Sequence, residues 1–151
     1  MIIREAKTDD LNQLSPLFDS YRQFYRKQSD VISAGEFLEE RLTSRESMIF
    51  VAEENHTLAG FAQLYPLFSS TRLKRLWLLN DLFVHADHRR KGIARMLIER
   101  CFQFVNATGA CGIMLETERT NTIANQLYRQ TGFQLIENNF YFHENRPVSP
   151  R

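Results

Sequence analysis

One stretch restricts the possible folds more than any other. An apolar run, Leu76-Trp77-Leu78-Leu79-Asn80-Asp81-Leu82-Phe83-Val84, is followed by a basic turn, Arg89-Arg90-Lys91-Gly92, and then by a helical pattern that opens at Ile93. In that pattern Ile93, Met96, Leu97, Cys101, Phe104 and Val105 form one apolar stripe, while Arg95, Glu99, Arg100 and Gln103 face away. The run before the turn alternates poorly, as a strand covered on both faces does. Strand, turn and amphipathic helix in this order place the chain among α/β folds. The turn also suggests a chemistry. The first amides of a helix have no partner inside it and carry partial positive charge, which suits phosphate. Gly92 lets the backbone approach a ligand with no Cβ in the way. Ala94 keeps the next position small, and Arg89, Arg90, Lys91 and Arg95 add full charges around the same point. From these residues alone, a solvated basic loop ahead of a helix reads equally well.

The rest of the pattern fills in the order of elements. Residues 1–6 read as a strand, and a helix follows from Thr8 with Leu11, Leu14, Phe18, Tyr21 and Tyr25 at helical spacing. Pro16 within it predicts a kink or a later start. A second helix is expected from Ser33 or Ala34 to Thr43. Residues 48–53 and 58–68 read as a hairpin around Glu54-Asn55-His56. Gly60 marks a bulge or a close packing point, and Pro66 an edge or irregular end. Residues 72–84 form the long central strand and residues 93–105 the best helix, stopped at Gly109. Residues 112–116 are a strand, 122–130 a helix closed by Gly132, and 133–136 and 140–143 two last strands. Residues 145–151 read as a loose tail.

Size and charge exclude several classes. At 151 residues the chain fits one domain, 1–151, with a core that needs no staples. A formal net charge of +1 gives no global bias toward nucleic acid or an anionic membrane. The two cysteines, Cys101 and Cys111, make neither a disulfide framework nor a metal spacing, and the four histidines are scattered, so no metal is expected. The polar turn at Arg4 argues against a signal-peptide core, and no apolar run approaches membrane-spanning length. The expected location is cytoplasmic.

A second motif lies downstream, Asn121-Thr122-Ile123-Ala124-Asn125-Gln126-Leu127-Tyr128-Arg129-Gln130-Thr131-Gly132-Phe133. Together with Arg89, Gly92 and Ala94, which match a loop pattern Arg/Gln-x-x-Gly-x-Gly/Ala, it resembles the GNAT superfamily of acyl-CoA N-acyltransferases. Asn121, Ala124, the Leu127-Tyr128 pair and Gly132-Phe133 follow that family's later signature in order and spacing. A motif counts when its structural context comes with it, and here a helix and a strand separate the two segments as required. The resemblance implies an α/β fold with a mixed, mostly antiparallel sheet of about seven strands, about four helices, and a splay between the fourth and fifth strands.

The resemblance also implies an activity: transfer of the acetyl group of acetyl-CoA to a primary amine of a small molecule, protein or peptide, by direct attack in a ternary complex. Leu82, Phe83 and Val84 match the strand whose backbone pairs with pantetheine. Residues Arg89, Arg90, Lys91, Gly92, Ile93, Ala94 and Arg95 match the pyrophosphate loop, and Asn121 and Ala124 the other side of the cofactor. Tyr128 matches the tyrosine that protonates the departing thiolate, whose phenol has a reference pKa of about 10. The chain further resembles the diamine branch, with Leu79-Asn80-Asp81-Leu82-Phe83-Val84 against that branch's Leu-Glu-Asp-Phe-Phe-Val. Asn80 replaces its glutamate and takes no proton. That leaves Asp81, Glu116 or a water held by Asn80 as the proton's route. Strand alternation predicts that Asp81 points to the face opposite Asn80. Tyr21, Phe24 and Tyr25 form an aromatic cluster suited to a cationic amine, or to the core. A homodimer through the later strands, with Phe140-Tyr141-Phe142 as its apolar surface, is implied as well. The alternatives are a non-catalytic acyl-CoA-binding protein of the same fold, and a nucleic-acid module that its charge makes a poor one.

Overall fold

The computed structural model describes residues 1–147. Among these residues, five strands form one sheet in the order β1 (Ile2–Glu5), β2 (Met48–Glu54), β3 (Thr57–Ser69), β4 (Lys74–Val84) and β5 (Ile113–Met114). The first three pairings are antiparallel, and β5 joins β4 in parallel. The helices are α1 (Leu11–Phe24), α2 (Val31–Thr43), α3 (Ile93–Ala107) and α4 (Thr122–Thr131). The chain divides into two compact units. The first, Met1–Glu118, holds the sheet and α1 to α3; the second begins at Arg119 and holds α4.

The first unit's core explains why the central strands alternate so poorly. Ile49 and Val51 join Leu14, Leu17, Phe18, Ala34 and Leu38 from α1 and α2 in one buried cluster. Phe50, between them on β2, packs instead against Phe104 of α3 with ring centres 5.6 Å apart. Both sheet faces are therefore covered, and alternate side chains are all apolar because each meets a helix. Phe50 is fully buried, worth about 2–3 kcal/mol of transfer free energy.

Local chemistry sets the helix limits. The Asp30 side chain accepts from the Ser33 amide and caps α2, so the helix starts at Val31, ahead of the expected Ser33 or Ala34. α1 follows a 3-10 turn, Thr8–Asp10, and runs on through Pro16 without a later start. Gly109, with φ +71°, and Gly132, with φ +108°, close α3 and α4 as expected. Gly60 is a close packing point: a Cβ there would lie 2.7 Å from the Phe83 carbonyl oxygen. Pro66 pairs with Trp77 on β4, but β2 ends its pairing at Leu64, so β3 has no neighbour on that side where the missing N–H falls.

The sheet has five strands where seven were expected. Among the described residues, 133–136 and 140–143 form no ladder, although Leu135, Ile136, Phe140, Tyr141 and Phe142 are apolar and exposed. Their composition favours a strand, yet a strand exists only where an edge accepts it, and propensity does not supply that edge. β5 is likewise shorter than the expected 112–116. The expected tail falls outside the described residues from 148 onward.

One feature of the sheet positions the site. β5 meets β4 only at Trp77↔Ile113 and Leu78↔Met114. From Leu79 to Val84, β4 keeps its β3 neighbour but, among the described residues, has no strand on the other edge. This is the expected splay.

Candidate functional site

The open edge of β4 is built from alternate residues. The His85 amide donates to the Ala59 carbonyl at 2.8 Å, and Phe83 lies opposite Phe61 in the β3 register. Antiparallel alternation then turns the backbone polar groups of Leu82 and Val84 toward the splay, while those of Phe83 face β3. The Val84 carbonyl accepts a bond from Arg89 Nε at 3.1 Å. Arg89 also lies over the Phe83 ring, its guanidinium carbon 5.7 Å from the ring centre. The turn is thus folded back onto the strand that precedes it.

The basic turn has the backbone its sequence implies. A 3-10 turn, Ala86–His88, links β4 to it. Arg90 and Gly92 both take positive φ, +64° and +74°, and Gly92 is the N-cap of α3. No side chain caps this helix, because the cap residue has none. Nothing lies within 4 Å of where a Gly92 Cβ would be, so the approach to the helix N-terminus is open. Lys91 Nζ and His88 Nδ1 lie 3.7 and 3.5 Å from Glu54 Oε2 on β2. Ile93 is buried and anchors the helix, Ala94 is half-buried, and Arg89, Arg90, Lys91 and Arg95 are exposed. An open strand edge leading to an uncapped, cationic helix start fits a ligand with an amide-bearing arm and a diphosphate.

A buried polar cluster sits further back on β4. The β3–β4 register shifts at Gln63/Leu64: Gln63 faces Asp81 and Leu64 faces Leu79, so Asn80 is an extra, bulged residue. The bulge brings Asn80 and Asp81 together, with Asn80 Nδ2 donating to Asp81 Oδ1 at 3.0 Å. The opposite faces expected for this pair are therefore incorrect. Asp81 is 3% exposed. Gln63 Nε2 donates to its other oxygen at 2.6 Å, and Ser47 Oγ donates to Gln63 Oε1 at 2.8 Å. The Tyr21 hydroxyl of α1 donates to the Asn80 carbonyl at 3.1 Å. Burial pushes the Asp81 carboxyl up, against bonds from Gln63, Tyr21 and Asn80 that favour its charged form.

Aromatic side chains surround this carboxyl. Burial raises the Tyr65 phenol to about 12, with the Asp81 charge acting in the same direction. Burial first, then Glu118 and Asp81, raises the Tyr25 phenol. The Tyr21 and Tyr25 rings meet edge to face at 5.1 Å. Glu118 pairs with Arg26 at 2.7 Å, and Glu116 is exposed just beyond β5. Asn80, Asp81, Tyr21 and Tyr25 are thus one neighbourhood. Gln63 and Ser47 were not anticipated. Gln63 could have been, as the one polar side chain inside the buried stretch 58–64.

In the second unit, Asn121 is the N-cap of α4, its side chain accepting from the Ala124 amide at 3.2 Å. Tyr128 is half-buried, and its ring meets Phe133 edge to face at 5.7 Å. The Phe133 amide returns to the Tyr128 carbonyl at 3.0 Å across Gly132. The Asn, Tyr and Gly-Phe of the downstream motif therefore have a local reason for their spacing, as cap, helix face and C-terminal wrap.

Comparison with known proteins gives a consistent result. A family model described as Acetyltransferase (GNAT) family matches residues 12–133. The uncharacterized N-acetyltransferase YhfO of Bacillus subtilis (strain 168) is 46% identical over 134 residues, covering 89% of this chain and 90% of that protein. A probable acetyltransferase of Haemophilus influenzae is 33% identical over 117 residues, 77% of this chain and 80% of that one. A crystal structure of a probable acetyltransferase, 37% identical, superposes with a TM-score of 0.86 over 100% of both chains.

Proposed function

The chain belongs to the acetyltransferase (GNAT) family, and from that premise we propose that it moves the acetyl group of acetyl-CoA onto a primary amine by direct attack in a ternary complex. One observation carries the reading. β5 leaves β4 after Leu78, so the Leu82 and Val84 edge is open where the strand runs into the uncapped turn at Gly92.

Acetyl-CoA supplies an activated thioester; the chain's residues do the rest. The backbone of Leu82 and Val84 would pair with the pantetheine arm of bound acetyl-CoA, and a fixed amide there would polarise the thioester carbonyl. The backbone of Gly92, Ile93 and Ala94, with Arg89, Arg90, Lys91 and Arg95, grips the diphosphate. By the family's motif, Asn121 and Ala124 would serve the cofactor and Tyr128 would give a proton to the departing thiolate.

The amine must lose a proton, since its free pKa is about 10. We assign that proton to a water held by Asn80 and relayed to Asp81. Asp81 is buried and bonded to Asn80, whereas Glu116 is exposed beyond β5. Tyr25, beside the Asp81 charge, lines the acceptor side. The acceptor is a small molecule or a peptide amine; Asn80 weakens the diamine reading. Cys101 is buried, and burial pushes its thiol up to about 12, which leaves that residue no thiolate for a covalent acyl-enzyme, and Cys111 lies in neither motif. Two free cysteines suit the reducing cytoplasm. Among the described residues no helix is long and apolar enough to cross a membrane. Exposed Phe140, Tyr141 and Phe142 support pairing of two copies.

The test is thiol release from acetyl-CoA across an amine panel, with Tyr128→Phe beside the wild type. The expected result is a loss of kcat in the variant at near-normal cofactor affinity. Equal rates would remove Tyr128 from the acid role. Cofactor binding with no turnover on any amine would favour a non-catalytic acyl-CoA-binding protein.

A further inference from the structure

The first unit contains a cavity of about 470 Å³, which shares only Ser47 with the polar cluster described above. Its walls come from the end of β1, the segment after α2, the start of β2 and the start of β4. Trp77 lines it, seven residues before Val84 on β4 and so roughly 23 Å along the strand from the end that runs into the basic turn. Its volume is in the range of about 300–1,000 Å³ that small-molecule sites occupy.

The charge on its walls is unbalanced. Lys7, Arg45 and Arg75 all line it. Among the described residues, none of the three has a carboxylate within ion-pair distance. Two acids share the walls, but Glu46 is held by Arg41 at 2.8 Å, which leaves Glu5 alone against three cations.

The backbone and a stacked pair of rings position two of these cations. The Glu46 amide returns to the Arg41 carbonyl at 3.1 Å and the Arg45 amide to the Leu42 carbonyl at 3.4 Å, a helix ending whose left-handed residue is usually glycine. Here that residue is Arg45, at φ +52°. This ending fixes where Arg45 leaves the backbone, at the cavity wall. Arg75 is placed by stacking: its guanidinium carbon lies 5.2 Å from the Phe68 ring centre and 5.8 Å from that of Trp77.

We propose that this cavity is a second ligand site, for a small oxyanion carrying two or more negative charges, held by Lys7, Arg45 and Arg75. A polycarboxylate and a phosphate ester share that chemistry, and the test separates them.

Trp77 is the chain's only tryptophan, so its fluorescence reports on this cavity directly. The protein is titrated with citrate, inorganic phosphate and adenosine monophosphate at constant ionic strength, with chloride as the monovalent control. A saturable change in Trp77 emission with one or more of the polyanions, and none with chloride, is expected; the anion that binds most tightly identifies the source. Arg45→Gly and Arg75→Gln should each weaken it by about tenfold. Arg45→Gly should at the same time raise the thermal midpoint, because glycine takes the positive φ freely. It therefore stays informative should Arg75→Gln fold poorly. No saturable response in the wild type would overturn the proposal. So would a response that both variants retain, since the anion would then sit elsewhere, at the turn near Gly92.

Discussion

Asn80 and Asp81 are neighbours in sequence whose side chains are bonded to each other, Asn80 Nδ2 to Asp81 Oδ1 at 3.0 Å. Regular strand geometry forbids this, because successive side chains leave on opposite faces. The one-residue bulge opposite Gln63 and Leu64 makes it possible. An exposed amide is thereby coupled to a buried carboxyl, and the Tyr21 hydroxyl closes the group from α1.

Asp81→Asn keeps the volume and removes the proton acceptor. The expected result is a drop of at least about tenfold in kcat/KM, with loss of the acid limb of the pH–rate profile. That limb should lie above the ordinary carboxylate range in the wild type, because burial raises the Asp81 carboxyl. A wild-type-like profile in the variant would move the proton's route to Glu116 or to bulk water. Asp81→Ala should in addition cost about 2–3 kcal/mol in urea unfolding, since it strands the buried Gln63 amide.

Gly92→Ala separates backbone strain from ligand approach. At φ +74° the alanine costs about 1 kcal/mol, and no neighbour within 4 Å adds a clash. Coenzyme A should nevertheless bind less tightly than that loss implies, because the new methyl stands where the diphosphate comes close. Calorimetry gives the affinity and thermal unfolding the strain. Unchanged affinity would place the diphosphate away from this turn.

Arg4 ties three elements together, and the tie depends on pH. Its two terminal nitrogens meet Asp10 at 2.8 Å each, and its Nε meets Glu53 at 2.7 Å. The guanidinium holds the Asp10 carboxyl below its usual value, and the Lys7 amide helps. A carboxyl lowered in the folded state stabilises the protein above its unfolded pKa of about 4, and that contribution is lost as pH falls through the folded value. Asp19 acts in the same direction, held low first by the Asp30 amide and then by Ser29. Urea midpoints should therefore fall steeply below about pH 4. Arg4→Met should lose about 1–2 kcal/mol at neutral pH and flatten that fall. Parallel curves for variant and wild type would show that the pair contributes nothing.

How much of the site could be read in advance follows from the range of each interaction. The turn at Gly92 was legible because a strand, a glycine and a helix stripe are local facts, and the positive φ is one glycine adopts readily. Tyr128 and Asn121 were legible for the same reason, as members of one short helix with its cap and wrap. Asp81 was misplaced because its direction depends on a register shift against β3, and nothing in residues 79–84 alone marks Asn80 as the residue that β3 leaves unpaired. Gln63 was missed since its meaning comes from Ser47 and Asp81, each 16 or more positions away.

By itself, the sequence determined the order of elements, the covered central strands and the two motifs that mark the family, since periodicity, turn residues and short spacings act over a few neighbours. Only the tertiary structure decided where β5 leaves β4, which side chain the bulge turns inward, and that residues 133–136 and 140–143 form no ladder. Those outcomes depend on which strand edges meet, and a strand's hydrogen bonds are completed by a partner that its own residues do not contain.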